Sequence, residues 1–264
     1  MSPALAQRTL EVAGGRRQLL YAAGDEQAPP LVWLHGINGP EADGDLIGAL
    51  AEDHRVLAPL APGFADLDEL RELHDIHDLA LHYDDVLDAL GIEQAALAGL
   101  SFGAMIAAEY AAHYPKRVST LVLLAPLGLW NDAYPVADLW GVPAPELPRL
   151  LYADPSRAQT TTTGGDVEAI VKLVSGMTSV ARFLWPIPDR GLGRRLYRIT
   201  CPTLIVHGAQ DAFVPVQYAD DFLHALPNAR TVIIPDAGHL LGVEAPAASL
   251  EATRAFLSRQ EVPA

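Results

Sequence analysis

The chain has 264 residues, of which 50% are hydrophobic, and its formal net charge at pH 7 is −15. This length allows one α/β domain with an insertion or two small domains, and the apolar content is sufficient for a large core. The negative charge argues against nucleic acid or an anionic membrane as a partner. The single cysteine, Cys201, excludes an internal disulfide, and we find no signal peptide or membrane-spanning run, so we expect a soluble, cytoplasmic protein.

Apolar runs alternate with helical patterns along most of the chain. The runs that predict strands are residues 8–12, 17–22, 31–34, 55–60, 95–100, 118–124, 202–206 and 230–234. The segments that predict helices are residues 78–90, 105–114, 216–226 and 246–259. Continuous apolar strands that alternate with helices are typical of a parallel sheet covered on both faces. We therefore predict an α/β fold with a mostly parallel, doubly wound sheet of about eight strands.

The segment 127–198 differs from the rest of the chain. Prolines and tryptophans concentrate there, and the regular alternation resumes only after it. A long irregular stretch inside an α/β array is typical of an inserted, largely helical cap. We predict that residues 1–126 and 199–264 form the core and that residues 127–198 form the cap.

The pentapeptide Gly99-Leu100-Ser101-Phe102-Gly103 has the pattern G-x-S-x-G and lies between a predicted strand and a predicted helix. A serine in so sharp a turn needs small neighbours, because the backbone is strained and larger side chains would collide. We expect the turn to expose the Ser101 hydroxyl beside the first N–H groups of the helix, which suits a nucleophile. The alternative role for Ser101 is a helix N-cap.

A nucleophilic serine needs a general base, because its hydroxyl is scarcely ionised at neutral pH. His239 is the best candidate, since it follows the last predicted strand and Gly238. Asp211 follows the preceding strand and is the candidate acid, with Asp236 as a competitor. The order serine, acid, histidine is the one expected for this sheet topology. Asp211 would hold the tautomer of His239 and stabilise its imidazolium form.

The reaction of a serine with a carbonyl also needs two backbone N–H donors near the nucleophile, for the oxyanion. One candidate is Phe102, which follows Ser101 at the start of the helix. The other is Ile37, in the loop after the strand at 31–34, where flanking glycines allow an open turn. Asn38 in the same loop either contacts the substrate or stabilises the loop.

Aromatic residues of the predicted cap are candidates for substrate contacts. They either line an apolar pocket or hold a small cap together, and both roles are compatible. Arg182 and Arg190 are the groups that could bind a substrate carboxylate. The predicted substrate-binding residues are Asn38, Trp130, Trp140, Phe183 and Trp185.

Imidazoles and carboxylates are dense in the segment His74-Asp75-Ile76-His77-Asp78, with His82 after it, and these are metal-ligand types. The segment precedes an acidic amphipathic helix, for which Asp75 or Asp78 is an ordinary N-cap. We therefore predict no metal site and no cofactor.

His35-Gly36, the pentapeptide at 99–103, Asp211 and Gly238-His239 together make the chain resemble the α/β-hydrolase fold superfamily over nearly its whole length. Segments 121–128, 181–199 and 202–215 resemble the branch of lid-bearing bacterial serine esterases and C–C bond hydrolases. The resemblance implies a nucleophile, an acid, a base and two oxyanion donors, which are Ser101, Asp211, His239, Ile37 and Phe102.

One position departs from the C–C hydrolase pattern. Leu240 follows His239, whereas hydrolases of meta-cleavage products typically carry tryptophan there. Epoxide hydrolases and haloalkane dehalogenases of the superfamily carry aspartate at the position of Ser101, which disfavours both activities for this chain.

We expect a serine hydrolase that cleaves a carboxylic ester or related acyl substrate through an acyl-enzyme on Ser101. The alternative with the same triad is a C–C bond hydrolase of meta-cleavage-product type. An alternative from another class is a non-catalytic ligand receptor on the same fold. The expected partner is a small-molecule substrate, without nucleic acid or membrane, and a homodimer is left open.

Overall fold

Strands and helices alternate along the chain in the order that the apolar pattern predicts. The computed structural model describes residues 5–158, 167–185 and 188–260. Its strands are β1 (Ala6–Val12), β2 (Arg16–Ala23), β3 (Pro30–Leu34), β4 (Arg55–Pro59), β5 (Ala95–Leu100), β6 (Val118–Leu124), β7 (Thr203–Gly208) and β8 (Ala229–Ile234). Its helices are α1 (Gly44–Leu50), α2 (Ile76–Ala89), α3 (Phe102–His113), α4 (Leu147–Leu151), α5 (Val167–Leu184), α6 (Gln217–Ala225), α7 (Leu241–Glu244) and α8 (Pro246–Gln260).

Within the described residues the strands form one eight-stranded sheet in the order β1-β2-β4-β3-β5-β6-β7-β8. The pairs β1–β2 and β2–β4 are antiparallel. The remaining pairs are parallel. The prediction of a mostly parallel, doubly wound sheet is confirmed. Because parallel strands end at one edge, the loops that follow β3, β5, β7 and β8 meet there, and this edge is where the predicted site residues lie.

Helices cover both faces of the sheet. On one face, α1 and α8 bury an apolar cluster that includes Ile47, Leu50 and Phe256. On the other face, α2, α3 and α6 bury a larger cluster, with Ile106 of α3 and Phe222 of α6 among its members. The two clusters explain why the central strands are apolar on both sides, since helices shield both faces of these strands from water.

The ends of two helices differ from the sequence prediction by a few residues. Helix α2 begins at Ile76 because the side chain of Asp75 accepts hydrogen bonds from the N–H groups of His77 and Asp78. Helix α3 begins at Phe102, directly after the strained turn, and not at residue 105. Helices α1 and α7 were not predicted, because each is too short for a helical apolar pattern to stand out.

Segment 127–198 contains α4 and α5 together with short 3-10 turns. Two side chains of α5, Val180 and Leu184, are buried against the cluster around α3. The threonine-rich stretch after residue 158 and residues 186–187 lie outside the described residues, so the boundaries of the predicted cap stay a prediction. Among the helices that the structure describes, none is long and apolar enough to cross a bilayer.

Candidate active site

Ser101 occupies a strained turn between β5 and α3. Its backbone has φ 57° and ψ −115°, a conformation that residues other than glycine rarely adopt. The flanking glycines allow this turn. A Cβ atom on Gly103 would lie 1.9 Å from the carbonyl oxygen of Leu34, and one on Gly99 would lie 2.5 Å from the backbone of Gly103. The G-x-S-x-G pattern therefore reflects a close approach of three backbone segments.

The side chain of Ser101 is less accessible than the sequence suggests. The turn was expected to expose the hydroxyl, but the residue is only 6% exposed. Residues of segment 127–198 line the same cavity as Ser101. Besides Leu127, they are Leu139, Trp140, Leu151, Val180 and Leu184, and we call these five residues the roof.

A hydrogen-bonded chain joins the three predicted triad side chains. The hydroxyl of Ser101 lies 2.7 Å from Nε2 of His239, and Nδ1 of His239 lies 2.8 Å from Oδ2 of Asp211. His239 is 2% exposed and Asp211 is 7% exposed, so water competes little for these bonds. With the imidazole proton on Nδ1, His239 donates to Asp211 and its Nε2 accepts from the serine hydroxyl. Asp236, the competing acid, lies exposed on the surface.

Backbone and side-chain donors hold the carboxylate of Asp211 in its charged form. Oδ1 accepts hydrogen bonds from the N–H groups of Phe213 (2.9 Å) and Val214 (2.8 Å). Oδ2 also lies 3.3 Å from Nε2 of His207. Burial alone would raise the pKa of Asp211, but the interactions with His239 and His207 outweigh it and hold the pKa well below its usual range. The buried acid therefore stays ionised beside the histidine.

The two predicted oxyanion donors come from separate segments of the chain. Phe102 is the first residue of α3, and Ile37 lies in the loop after β3; both line the cavity that contains Ser101 and His239. His35 positions this loop. Its Nε2 accepts a hydrogen bond from the N–H of Ala61 at 2.8 Å, so its Nδ1–H donates to the carbonyl of the next residue, Gly36, at 2.7 Å. Burial lowers the pKa of His35 to about 4, which keeps the ring neutral in this role.

The cavity at Ser101 has a volume of about 30 Å³ and mostly apolar walls. Among the predicted substrate-binding residues, Asn38 and Trp140 line it. Trp130, Phe183 and Trp185 are not among the described residues of its wall. Each of these three has another environment: the indole of Trp130 donates to Asp132, the ring of Phe183 stacks on Phe102, and Trp185 is 57% exposed at the end of α5.

The two arginines that could bind a substrate carboxylate face other groups. Arg182 donates to the carbonyl of Leu73, and Arg190 donates to the carbonyls of Phe183 and Trp185. The described wall of the cavity contains no lysine or arginine, and its one carboxyl group belongs to Asp43. A substrate carboxylate would therefore meet no lysine or arginine of the described wall.

The segment rich in histidine and aspartate has a structural role in the described residues. Asp75 caps α2, and Nε2 of His82 is hydrogen-bonded to Oε1 of Gln18 at 2.7 Å. Burial and the neighbouring Arg16 lower the pKa of His82 to about 4. The described part of the chain has no group of three or more histidine, cysteine, aspartate or glutamate side chains arranged so that they could hold a metal ion.

A set of hydrogen bonds that the sequence did not reveal ties the base loop to segment 127–198. The carbonyl of Leu151 accepts from the N–H groups of His239 (3.0 Å) and Leu240 (3.2 Å). The buried carboxylate of Glu244 accepts from Gly238 (2.8 Å) and from Ala153 (3.0 Å) and Asp154 (3.2 Å). No local motif marks these contacts, because the partners are about 90 residues apart in sequence.

The sequence model of a family described as "Alpha/beta hydrolase family" matches residues 31–252. The chain is 30% identical over 244 residues to the 2-hydroxy-6-oxo-6-phenylhexa-2,4-dienoate hydrolase of Comamonas testosteroni, covering 82% of each chain. It is 29% identical over 245 residues to a 2-hydroxy-6-oxononadienedioate/2-hydroxy-6-oxononatrienedioate hydrolase of the same species, covering 83% of this chain and 84% of that protein.

Solved structures share the fold at lower sequence identity. Naproxen esterase (carboxylesterase NP) from Bacillus subtilis has a TM-score of 0.75 and 22% identity, with 96% of this chain and 91% of that chain covered. The meta-cleavage product hydrolase from Pseudomonas fluorescens IP01 has a TM-score of 0.77 and 23% identity, with 97% and 98% covered. An esterase and a C–C hydrolase thus share one architecture, and the choice between their reactions rests on the site itself.

Proposed function

Because the chain belongs to the alpha/beta hydrolase family and is a hydrolase enzyme, we propose that it cleaves a carboxylic ester or related acyl substrate through an acyl-enzyme on Ser101. The observation that carries the proposal is the buried hydrogen-bonded chain from the Ser101 hydroxyl through His239 to Asp211. A serine with only a structural role would need neither the strained turn nor a hydrogen bond to a histidine. It would also not need an ionised aspartate to orient that histidine.

The first half of the reaction forms the acyl-enzyme. Nε2 of His239 takes the proton of the Ser101 hydroxyl while Oγ attacks the ester carbonyl carbon. The carbonyl oxygen becomes an oxyanion, which the N–H groups of Ile37 and Phe102 stabilise; loss of one such donor typically costs about 10²- to 10³-fold in rate. The imidazolium then gives its proton to the leaving alcohol oxygen as the C–O bond breaks.

The second half releases the acid. Water gives a proton to Nε2 of His239 and attacks the acyl carbonyl, and the second tetrahedral intermediate collapses as the proton returns to Oγ of Ser101. The ionised carboxylate of Asp211 stabilises the imidazolium in both halves. The N–H groups of Phe213 and Val214 fix this carboxylate, so the imidazole stays aligned through both transfers.

The composition of the cavity supports an ester over a C–C hydrolase substrate. The relatives named above act on dienoates, whose names describe carboxylate-bearing molecules. The described cavity wall here offers apolar groups and a carboxyl, without a lysine or arginine to bind a carboxylate. Leu240 beside the base also differs from the tryptophan typical of meta-cleavage product hydrolases. The similarity to those relatives keeps C–C cleavage as the second candidate.

The Ser101→Ala variant tests the proposal. We expect it to lose about 10⁴-fold or more in kcat for p-nitrophenyl butyrate while keeping its circular dichroism spectrum. We also expect a fluorophosphonate probe to label the wild type and not the variant. Ser119→Ala, at an exposed position in β6, is the matched control and should behave as the wild type in both assays.

Three outcomes would argue against the proposal. Ester hydrolysis retained by the Ser101→Ala variant would remove Ser101 as the nucleophile. Rapid turnover of a dienoate dione with feeble turnover of esters would favour the C–C hydrolase. Failure of the probe to label wild-type protein would favour a non-catalytic receptor.

A further inference from the structure

Asp43 is a buried carboxyl in the wall of the Ser101 cavity that the proposed reaction does not use. It precedes α1 and is 6% exposed. Ser101 and His239 line the same cavity. An acidic side chain is almost never buried without a partner, because removal of its charge from water is costly. A buried carboxyl in the same cavity as the proposed nucleophile and base therefore indicates a functional role.

Helix capping does not explain the Asp43 side chain. The residue stands at the N-cap position of α1, yet its side chain makes no capping hydrogen bond. It turns away from the helix, and Oδ2 accepts a hydrogen bond from the indole Nε1–H of Trp33 at 3.0 Å. In the described residues no hydrogen bond to Oδ1 is found. That oxygen lies on the side of Gly242, another residue of the cavity wall, 3.8 Å from where a Cβ would stand.

The ionised form of Asp43 has no positive partner in the described wall. Lysine and arginine are absent from the part of the wall that the structure describes, and the surrounding side chains are largely apolar. Burial raises the pKa of Asp43 to about 7, and the hydrogen bond from Trp33 only partly opposes this rise. A cation placed in the cavity would supply the missing charge.

The negative charge of the whole chain also favours a cation in the cavity. With a formal net charge of −15, the protein attracts small cations and repels small anions. Three residues of the wall, Asn38, Ala42 and Val243, are exposed to solvent, and Ala42 is the chain neighbour of Asp43. A charged group held at Asp43 would keep part of its hydration there, which lowers the cost of binding it.

We propose that the carboxylate of Asp43 binds a protonated amine on the substrate, so that the preferred substrates are esters that carry an ammonium group. This inference rests on the proposed ester hydrolysis and specifies its substrate class. The bond between an ammonium N–H and Oδ1 would satisfy the oxygen that Trp33 leaves free. It also accounts for a cavity that combines apolar walls with a single carboxyl.

Matched ester pairs test the inference, since they differ in charge but not in shape. Dimethylaminoethyl butyrate and isopentyl butyrate form one pair, with the amine in the alcohol. Ethyl dimethylaminobutyrate and its branched alkyl isostere form the other, with the amine in the acyl group. Release of acid is followed by titration at about pH 7.5, where a tertiary amine is largely protonated and an acid with a pKa of about 7 is largely ionised.

We expect the wild type to favour the cationic ester of at least one pair about tenfold or more in kcat/KM, the size of a charge-assisted hydrogen bond. Asp43→Asn should lower this ratio about tenfold, because the amide keeps an acceptor for Trp33 but carries no charge. Asp45→Asn removes an exposed carboxyl from α1 and should leave the ratio unchanged. Should Asp43→Asn fail to fold, inhibition of the wild type by dimethylaminoethanol must be stronger than inhibition by isopentanol.

Two results would overturn this inference and leave the proposed ester hydrolysis intact. One is hydrolysis of the neutral esters with no preference for either cationic ester, and the other is a preference for a cationic ester that survives in Asp43→Asn. Equal inhibition by the two alcohols counts against it in the same way. If the wild type hydrolyses neither the neutral nor the cationic esters, the proposed function is refuted and this inference falls with it.

Discussion

Substitution of Asp43 by asparagine should make the stability of the protein less sensitive to pH. Burial raises the pKa of this carboxyl from 3.8 to about 7 in the folded protein. The folded state therefore holds the proton more tightly than the unfolded chain. Stability is highest below the unfolded pKa and is lost as the pH rises from about 4 to about 7. Asparagine does not ionise in this pH range, so the Asp43→Asn variant should not lose stability for this reason.

The size of the effect follows from the two pKa values. The change from 3.8 to about 7 corresponds to about 4 kcal/mol of unfolding free energy, at about 1.4 kcal/mol for each pH unit. We expect the free energy of unfolding of Asp43→Asn, minus that of the wild type, to increase by up to this amount between pH 4 and pH 8. All groups common to both proteins cancel in the difference.

Urea denaturation at several pH values measures this difference, with unfolding followed by tryptophan fluorescence and by circular dichroism. Asp45→Asn, which removes an exposed carboxyl from the first turn of α1, is the matched control. The reasoning is refuted if the difference between Asp43→Asn and the wild type stays constant within about 1 kcal/mol from pH 4 to pH 8. Such a result would mean that Asp43 is ionised at little cost in the folded protein.

Three further substitutions test the rest of the site. Asp211→Asn should lower kcat for p-nitrophenyl butyrate about 10⁴-fold, because an amide cannot stabilise the imidazolium, while Asp236→Asn should leave kcat unchanged. Glu244→Gln weakens three hydrogen bonds to backbone N–H groups, so urea denaturation should show a loss of about 1–3 kcal/mol in unfolding free energy. Gly103→Ala places a Cβ 1.9 Å from a carbonyl oxygen at the end of β3 and should abolish folding, as judged by circular dichroism, whereas Gly44→Ala enters open space and should fold normally.

The sheet and the meeting of Ser101, Asp211 and His239 follow from local sequence features. Each of the three residues lies in the turn or loop that follows a strand, and parallel strands deliver such loops to one edge of the sheet. The structure joins the three side chains in one hydrogen-bonded chain through His239, while their roles in catalysis stay a proposal. Pattern and chain order are sufficient for this part because the sheet topology itself sets the geometry.

Other parts of the site depend on packing that no local pattern records. Trp140 reaches the cavity and Trp185 does not, although both are tryptophans of the same irregular segment. Asp43 stands at the N-cap position of α1, a helix that the sequence pattern did not predict, and its side chain accepts from Trp33 and makes no capping hydrogen bond. The hydroxyl of Ser101 was expected to be exposed because the turn can be read from the sequence, whereas the roof of the cavity cannot.

The hydrogen bonds at Leu151 connect the access of substrate to the cavity with the alignment of His239. The same carbonyl that belongs to the roof holds the backbone of His239 and Leu240. A cavity of about 30 Å³ has space for about one water, so under the proposed function we expect the roof to move before an ester enters. Lifting Leu151 breaks the bonds that steady the base. Under the proposed function, we therefore expect conformations that admit substrate to be poorly aligned for chemistry and each turnover to include a reclosure step. We then expect the observed rate of ester hydrolysis to fall as solvent viscosity rises.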